Sequence, residues 1–180
     1  MALSSTVHHF DIALSDVDRG VYESLSFKVA RHPSETAEYL IARVLAYCLE
    51  YAPGIAFSAG GVSDPDQPTL AVRDLTGRLE LWIEIGSPDA AKLHKASKSA
   101  PRLAVYTHRS AEQFLRPLAG ERIHRAADIA AFALPRDLVE GLVERLDRRM
   151  TLDVSVSDAH LFVTAGDHSF AGAIERLPLE

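Results

Sequence analysis

The chain has a single cysteine, Cys48, in 180 residues. That excludes an internal disulfide framework and makes a reducing, cytoplasmic setting the default expectation. Long apolar runs are also missing. Charged residues, 24% of the chain, interrupt every hydrophobic stretch short of the ~20 residues that a membrane-spanning helix needs. The opening residues, Met1 to His9, have neither a basic start nor an apolar core, so no secretory signal is expected. Lysine is scarce as well: there are four, and Lys92, Lys95 and Lys98 fall within seven residues. The net charge of −6 argues against a protein that coats nucleic acid by bulk positive charge. The 47% apolar content fits a well-buried core. No repeat, linker or low-complexity tract divides the chain, so one domain over residues 1–180 is expected, a monomer by default.

Alternating segments at 6–14 and 21–30, joined by Ser15-Asp-Val-Asp-Arg-Gly20, read as a β-hairpin. Ser34 is a natural N-cap for a helix running to about Tyr51, with Ile41, Ala42, Leu45, Cys48, Leu49 and Ala52 as its buried stripe. Strands follow at 55–58, 69–73 and 79–85, then a helix opened by Pro88-Asp89 and running through about Ser99. A buried strand at 102–107, a short helix at 111–118, a strand at 129–134 and an amphipathic helix at 137–148 come next. The chain closes with a meander at 151–157, 160–164 and 169–174. This order predicts an α/β fold with one central mixed sheet flanked by helices.

The strand Leu79-Glu80-Leu81-Trp82-Ile83-Glu84-Ile85 carries the chemistry. Alternation places Glu80, Trp82 and Glu84 on one face and Leu79, Leu81, Ile83 and Ile85 on the other, so both faces are apolar and the strand is central. A carboxylate buried there demands a partner. If Asp74 and Leu79 close the preceding hairpin, Glu84 lies opposite Thr69, and Asp66 arrives at the same end of the sheet. Two converging carboxylates suit a hard divalent cation such as Mg²⁺, which activates water and stabilises charge on a phosphate. Glu38, one turn before Ile41 and Ala42, is the candidate third acid. Glu35 reads as a favourable charge on the helix N-terminus.

The cation that normally accompanies such acids would stand two residues after Glu84, where the sequence has Gly86. Lysine's long stem lets it reach in from the next helix, which offers Lys92, Lys95 and Lys98. From residue 90 to 111 there are five Lys or Arg and no Asp or Glu, either a solvated helix face or a phosphate-facing patch.

Taken together, His32-Pro-Ser-Glu-Thr36, Ser63-Asp-Pro-Asp66, Asp74-Leu-Thr-Gly77, Leu81-Trp-Ile-Glu-Ile-Gly86 and Val105-Tyr-Thr107 resemble the bacterial YaeQ proteins over essentially the whole chain. The resemblance implies a variation on the PD-(D/E)XK restriction-endonuclease fold. It also implies Asp66 and Glu84 as the acidic, metal-holding pair, with Lys95 as the matching lysine. The function expected is therefore a Mg²⁺-dependent nuclease acting on nucleic-acid phosphodiesters, with Asp66, Glu84, Lys95 and Glu38 as its site. The alternative is an inactive nuclease scaffold that binds nucleic acid or a protein partner through the basic Lys92–Arg109 side.

Other constellations carry less. The eight histidines are scattered without ligand spacing, and His8 and His9 point to opposite faces of a strand. Cys48 lies on a helix's apolar stripe as a small hydrophobe. Gly60-Gly61 reads as turn chemistry, Asp64 as an Asx-turn residue and Glu80 as an exposed strand acid.

Overall fold

The computed structural model describes residues 4–59 and 64–180. The Gly60-Gly61 turn reading lies outside them. In chain order the elements are β1 (Thr6–Asp16), β2 (Val21–Arg31), α1 (Ala37–Leu49), β3 (Ile55–Phe57), β4 (Leu70–Arg73) and β5 (Leu79–Ile85). There follow α2 (Ala90–Ser99), β6 (Arg102–Thr107), α3 (Ala111–Leu115), β7 (Ala130–Ala133), α4 (Arg136–Glu144), β8 (Arg149–Ser157), β9 (His160–Ala165), β10 (His168–Ala173) and β11 (Glu175–Leu177).

The strands form two mixed sheets, not the one central sheet that the element order suggests. Five run in the order β10-β9-β8-β1-β2, and six in the order β11-β7-β6-β5-β4-β3. The cause is one long-range pairing: β8 returns parallel to β1, so the closing meander joins the opening hairpin. In β1 the residues Phe10, Ile12 and Leu14 are buried while Val7 and Ala13 are exposed, the signature of a sheet with one wet face. The six-stranded sheet differs. Its strands β5, β6 and β7 are parallel and joined through α2 and α3. Leu81, Ile83 and Ile85 enter the large core shared with α1, α4 and the five-stranded sheet. Trp82 and Val105 enter a second core with Leu93 and Ala96 of α2 and Phe114 of α3.

Two helix boundaries correct the sequence reading. Thr36, not Ser34, caps α1, accepting from the Tyr39 backbone N–H, while the Ser34 hydroxyl turns back to His32 Nδ1 at 2.6 Å. The helix expected at 111–118 is α3 followed by a 3-10 turn over Arg116–Leu118, where Pro117 cannot continue the α-helical hydrogen bonding. Among the described residues no helix is long and apolar enough to cross a membrane.

Candidate functional site

The β4–β5 register follows from the turn together with a bulge. Asp74 and Arg78, not Asp74 and Leu79 as expected, close the hairpin by backbone hydrogen bonding, Gly77 takes φ +85°, and Leu70 pairs with Ile83. A bulge between Val72 and Arg73 absorbs one residue at the turn end and leaves the far end in register. Glu84 therefore meets Thr69, whose hydroxyl donates to Glu84 Oε2 at 3.2 Å. The Tyr39 hydroxyl lies 3.4 Å from Thr69 Oγ1, so α1 donates into the same chain. Burial of the ring raises the Tyr39 pKa, which keeps that donor protonated.

Glu84 is 1% exposed, and both its oxygens are engaged. The Trp82 indole N–H, two residues back on the same face, donates to Oε1 at 2.6 Å, and Lys92 Nζ stands 3.0 Å from Oε2. The buried carboxylate is thus met by three donors, one of them cationic, which is what burial of a charge requires.

Gly86 explains why this cation comes from a helix. It takes φ +86°, its N–H donates to Tyr106 O, and a Cβ built there would make only ordinary contact with the Tyr39 ring at 3.5 Å. Backbone conformation, not space, excludes a lysine side chain at that position. The chain turns sharply there into Ser87-Pro88 and the Asp89 N-cap of α2, which accepts from the Lys92 N–H at 2.8 Å. Leu93 and Ala96 bury one side of α2 and thereby fix its rotation, which delivers Lys92 to the sheet.

Lys95, the lysine expected in that role, instead pairs with Asp66, and both side chains are more than half exposed. Asp66 is set by the turn read at Asp64, whose Oδ1 accepts from the Asp66 N–H at 2.9 Å. The two acids of the expected metal pair are therefore each met by a different lysine of α2, one at the floor of a cavity and one on the surface. Glu35 is also not a free dipole charge. It is buried against Arg43, whose Nη2 lies 2.8 Å from Oε2 and 2.5 Å from Oε1, and Oε2 also accepts from the His32 N–H. Burial gives Glu35 a structural partner where position alone suggested a helix-end charge.

The cavity measures about 720 Å³ and opens at the carboxyl ends of the parallel strands β5 and β6. Such an end of an α/β sheet is the usual place for a ligand. Its walls include Glu38 and Tyr39 of α1, Glu84, Gly86, Lys92, His108, Arg109 and the Arg136–Glu140 pair of α4. Glu38 is half-buried here, so it does share a cavity with Glu84. His108 was not singled out by sequence; its signal is its place directly after β6. Burial and the adjacent Arg109 charge lower its pKa below the usual histidine range, partly offset by Glu38, and its Nδ1 is buried without a partner among the described residues. Cys48 is fully buried, with its thiol pushed up to about 12 by burial, so it takes no part as a nucleophile.

The fit to Mg²⁺ is poor in this arrangement. Glu84 already spends both oxygens on protein donors, and Asp66 is taken by Lys95. Among the described residues no three His, Cys, Asp or Glu side chains are grouped to hold a metal ion.

Residues 1–173 match the model of the YaeQ protein family. The chain is 30% identical over 165 residues to the uncharacterised YaeQ proteins of Escherichia coli K12 and of Salmonella typhi. For the E. coli protein that span covers 91% of each chain. The crystal structure of the YaeQ protein from Pseudomonas syringae superposes with a TM-score of 0.86 at 33% identity, over 98% of this chain and 97% of that one. The YaeQ structure from Xanthomonas axonopodis pv. citri gives 0.85 at 31% identity, over 96% and 98%. The chain belongs to the YaeQ family.

Proposed function

We propose that this YaeQ family member binds a nucleic-acid phosphodiester in the cavity at the carboxyl ends of β5 and β6. The observation that carries the reading is Lys92. Its ammonium has three N–H donors, and among the described residues Glu84 is the one carboxylate it meets, so donors remain for a ligand oxygen. On the wall of the same cavity Arg109 is exposed, and its guanidinium has no partner among the described residues. A phosphoryl group between them would accept charge-assisted hydrogen bonds from both, while neutral His108 offers a further polar contact. The six-stranded sheet and its helices are read as a variation on the PD-(D/E)XK fold, and the protein as cytoplasmic. The test is fluorescence anisotropy with end-labelled DNA and RNA oligonucleotides. Arg109→Ala, on the surface, weakens binding about tenfold if one charge-assisted contact is lost, a loss near 1.4 kcal/mol. Unchanged affinity removes the reading.

A second reading, Mg²⁺-dependent hydrolysis of the bound phosphodiester, is favoured by one observation. Glu38 opens on the same cavity as Glu84 and has no ion-pair partner among the described residues. Incubation of DNA and RNA with Mg²⁺ or Mn²⁺ tests it. Cleavage lost in Glu84→Ala supports hydrolysis, and no cleavage of any substrate leaves binding alone. A protein ligand in place of nucleic acid is the outcome left if no oligonucleotide binds.

A further inference from the structure

We infer that the exposed face of α2 is a track for the phosphate backbone of a single nucleic-acid strand leaving the cavity. The inference rests on the cavity reading for its starting point at Lys92 and extends it to Lys95, Lys98 and His94 outside the cavity. The buried residues Leu93, Ala96 and Ser97 mark the inner side of α2. At about 100° per residue, Lys92 stands at one margin of that side, Lys95 and Lys98 lie across the outer face, and His94 reaches the opposite margin. The four side chains form a belt from the Glu84 cavity over the helix to its far flank.

The far flank is electropositive by construction. The His124 backbone N–H donates to His94 Nδ1 at 3.1 Å, which fixes the other ring nitrogen of His94 as the N–H donor. The two rings lie 6.2 Å apart, nearly edge to face. Arg125 is drawn into this corner with φ +48° by its guanidinium, which donates to Ser97 O and, at 2.9 Å, to Ala100 O. It closes the carboxyl end of α2 there and leaves its charge beside His124. Partial desolvation, and then the Arg125 and Lys98 charges, lower the His124 pKa. Among the described residues no carboxylate pairs with Arg125. Asp66 offsets Lys95 alone, and Lys98 has no ion-pair partner among the described residues.

Cations gathered at one corner without a paired carboxylate attract a polyanion. Lys92 and Lys98 are six residues apart, a rise of about 9 Å, which suits a few successive phosphates of one strand. The cavity volume is that of a small-molecule site, which takes nucleotides of a strand end or loop and not a duplex. The protein as a whole is acidic, so this belt is a local attraction that overrides the net charge of −6.

The test is the salt dependence of binding to a 5′-fluorescein-labelled oligothymidylate 12-mer, for the full chain and for Lys98→Ala. Lys98 is exposed, and circular dichroism of the variant confirms that it folds. The expected result is several-fold weaker binding and a log–log salt slope shallower by about one. Unchanged affinity and slope overturn the track. Tighter binding of a 12-base-pair duplex than of the single strand also overturns it. Arg109→Ala, run in parallel, separates the two claims. If Lys98→Ala weakens binding and Arg109→Ala does not, the cavity reading fails and the track stands; the reverse result removes the track alone.

Discussion

Two lysines one turn apart on α2 meet two carboxylates in opposite surroundings. Lys92 goes down to Glu84, which is 1% exposed and also held by Trp82 and Thr69. Lys95 goes out to Asp66, where both side chains are mostly in water. The charges are the same and the local geometry is similar, yet the energetics differ. Water already solvates Asp66, so the outer pair adds little, ~0–1 kcal/mol. Glu84 has no water to fall back on, so each of its donors is required. A charge pair gains structural weight from what surrounds it.

Breaking the inner pair has the largest expected effect. Lys92→Ala leaves a buried carboxylate without its cation and costs about 3 kcal/mol, read as a lower urea midpoint with an unchanged slope. An ordinary midpoint for Lys92→Ala would put the inner pair on the same footing as the outer one. Trp82→Phe keeps the ring's bulk but removes the donor to Glu84 Oε1, at a cost of roughly 2 kcal/mol. Next comes Gly86→Ala, which forces an L side chain to φ +86° and loses about 1–2 kcal/mol. A neutral result there would show that the turn after β5 relaxes, and that position 86 is open to a lysine after all. Asp66→Ala, the matching change at the outer pair, shifts stability by less than about 1 kcal/mol, and raised salt shrinks even that.

The smallest effect separates the cavity wall from the surface by pH. His108 has a folded pKa lowered chiefly by burial, so the unfolded chain takes up a proton before the folded one does. Its contribution is fully present above the ordinary histidine value and is lost as pH falls through that value toward the lower folded one. The melting temperature therefore falls across mildly acidic pH, and less so in His108→Gln. An equal fall in both proteins would assign the effect to other histidines.

The floor of the site was legible because it depends on local rules. A two-sided apolar strand and period-two alternation around a Gly77 turn oppose Thr69 and Glu84 as expected. The turn nonetheless closes Asp74 on Arg78 and not on Leu79, and the bulge after Val72 makes up the difference. That Lys92 and not Lys95 meets Glu84 was harder to read, since the three lysines of α2 recur at three-residue spacing. Its clue was there, in Leu93 and Ala96, whose burial sets the helix rotation. Glu35 was misread because its partner Arg43 sits two turns on, among apolar neighbours that hide a buried guanidinium. The second sheet was out of reach of local patterns: it hangs on β8 pairing with β1 from the other end of the chain. Arg109 was legible as the end of the basic stretch read in residues 90–111, whereas His108 became visible only when the carboxyl ends of β5 and β6 were brought together.

The central claim is that Lys92, held by Glu84, offers its remaining donors to a phosphate. A crystal of the protein grown with a short single-stranded oligonucleotide tests it most directly. The account predicts a phosphoryl oxygen about 2.7–2.9 Å from Lys92 Nζ, with Arg109 turned onto the same group and the Glu84–Lys92 contact kept. An oligonucleotide bound elsewhere, or a cation that replaces Lys92 on Glu84, would contradict it.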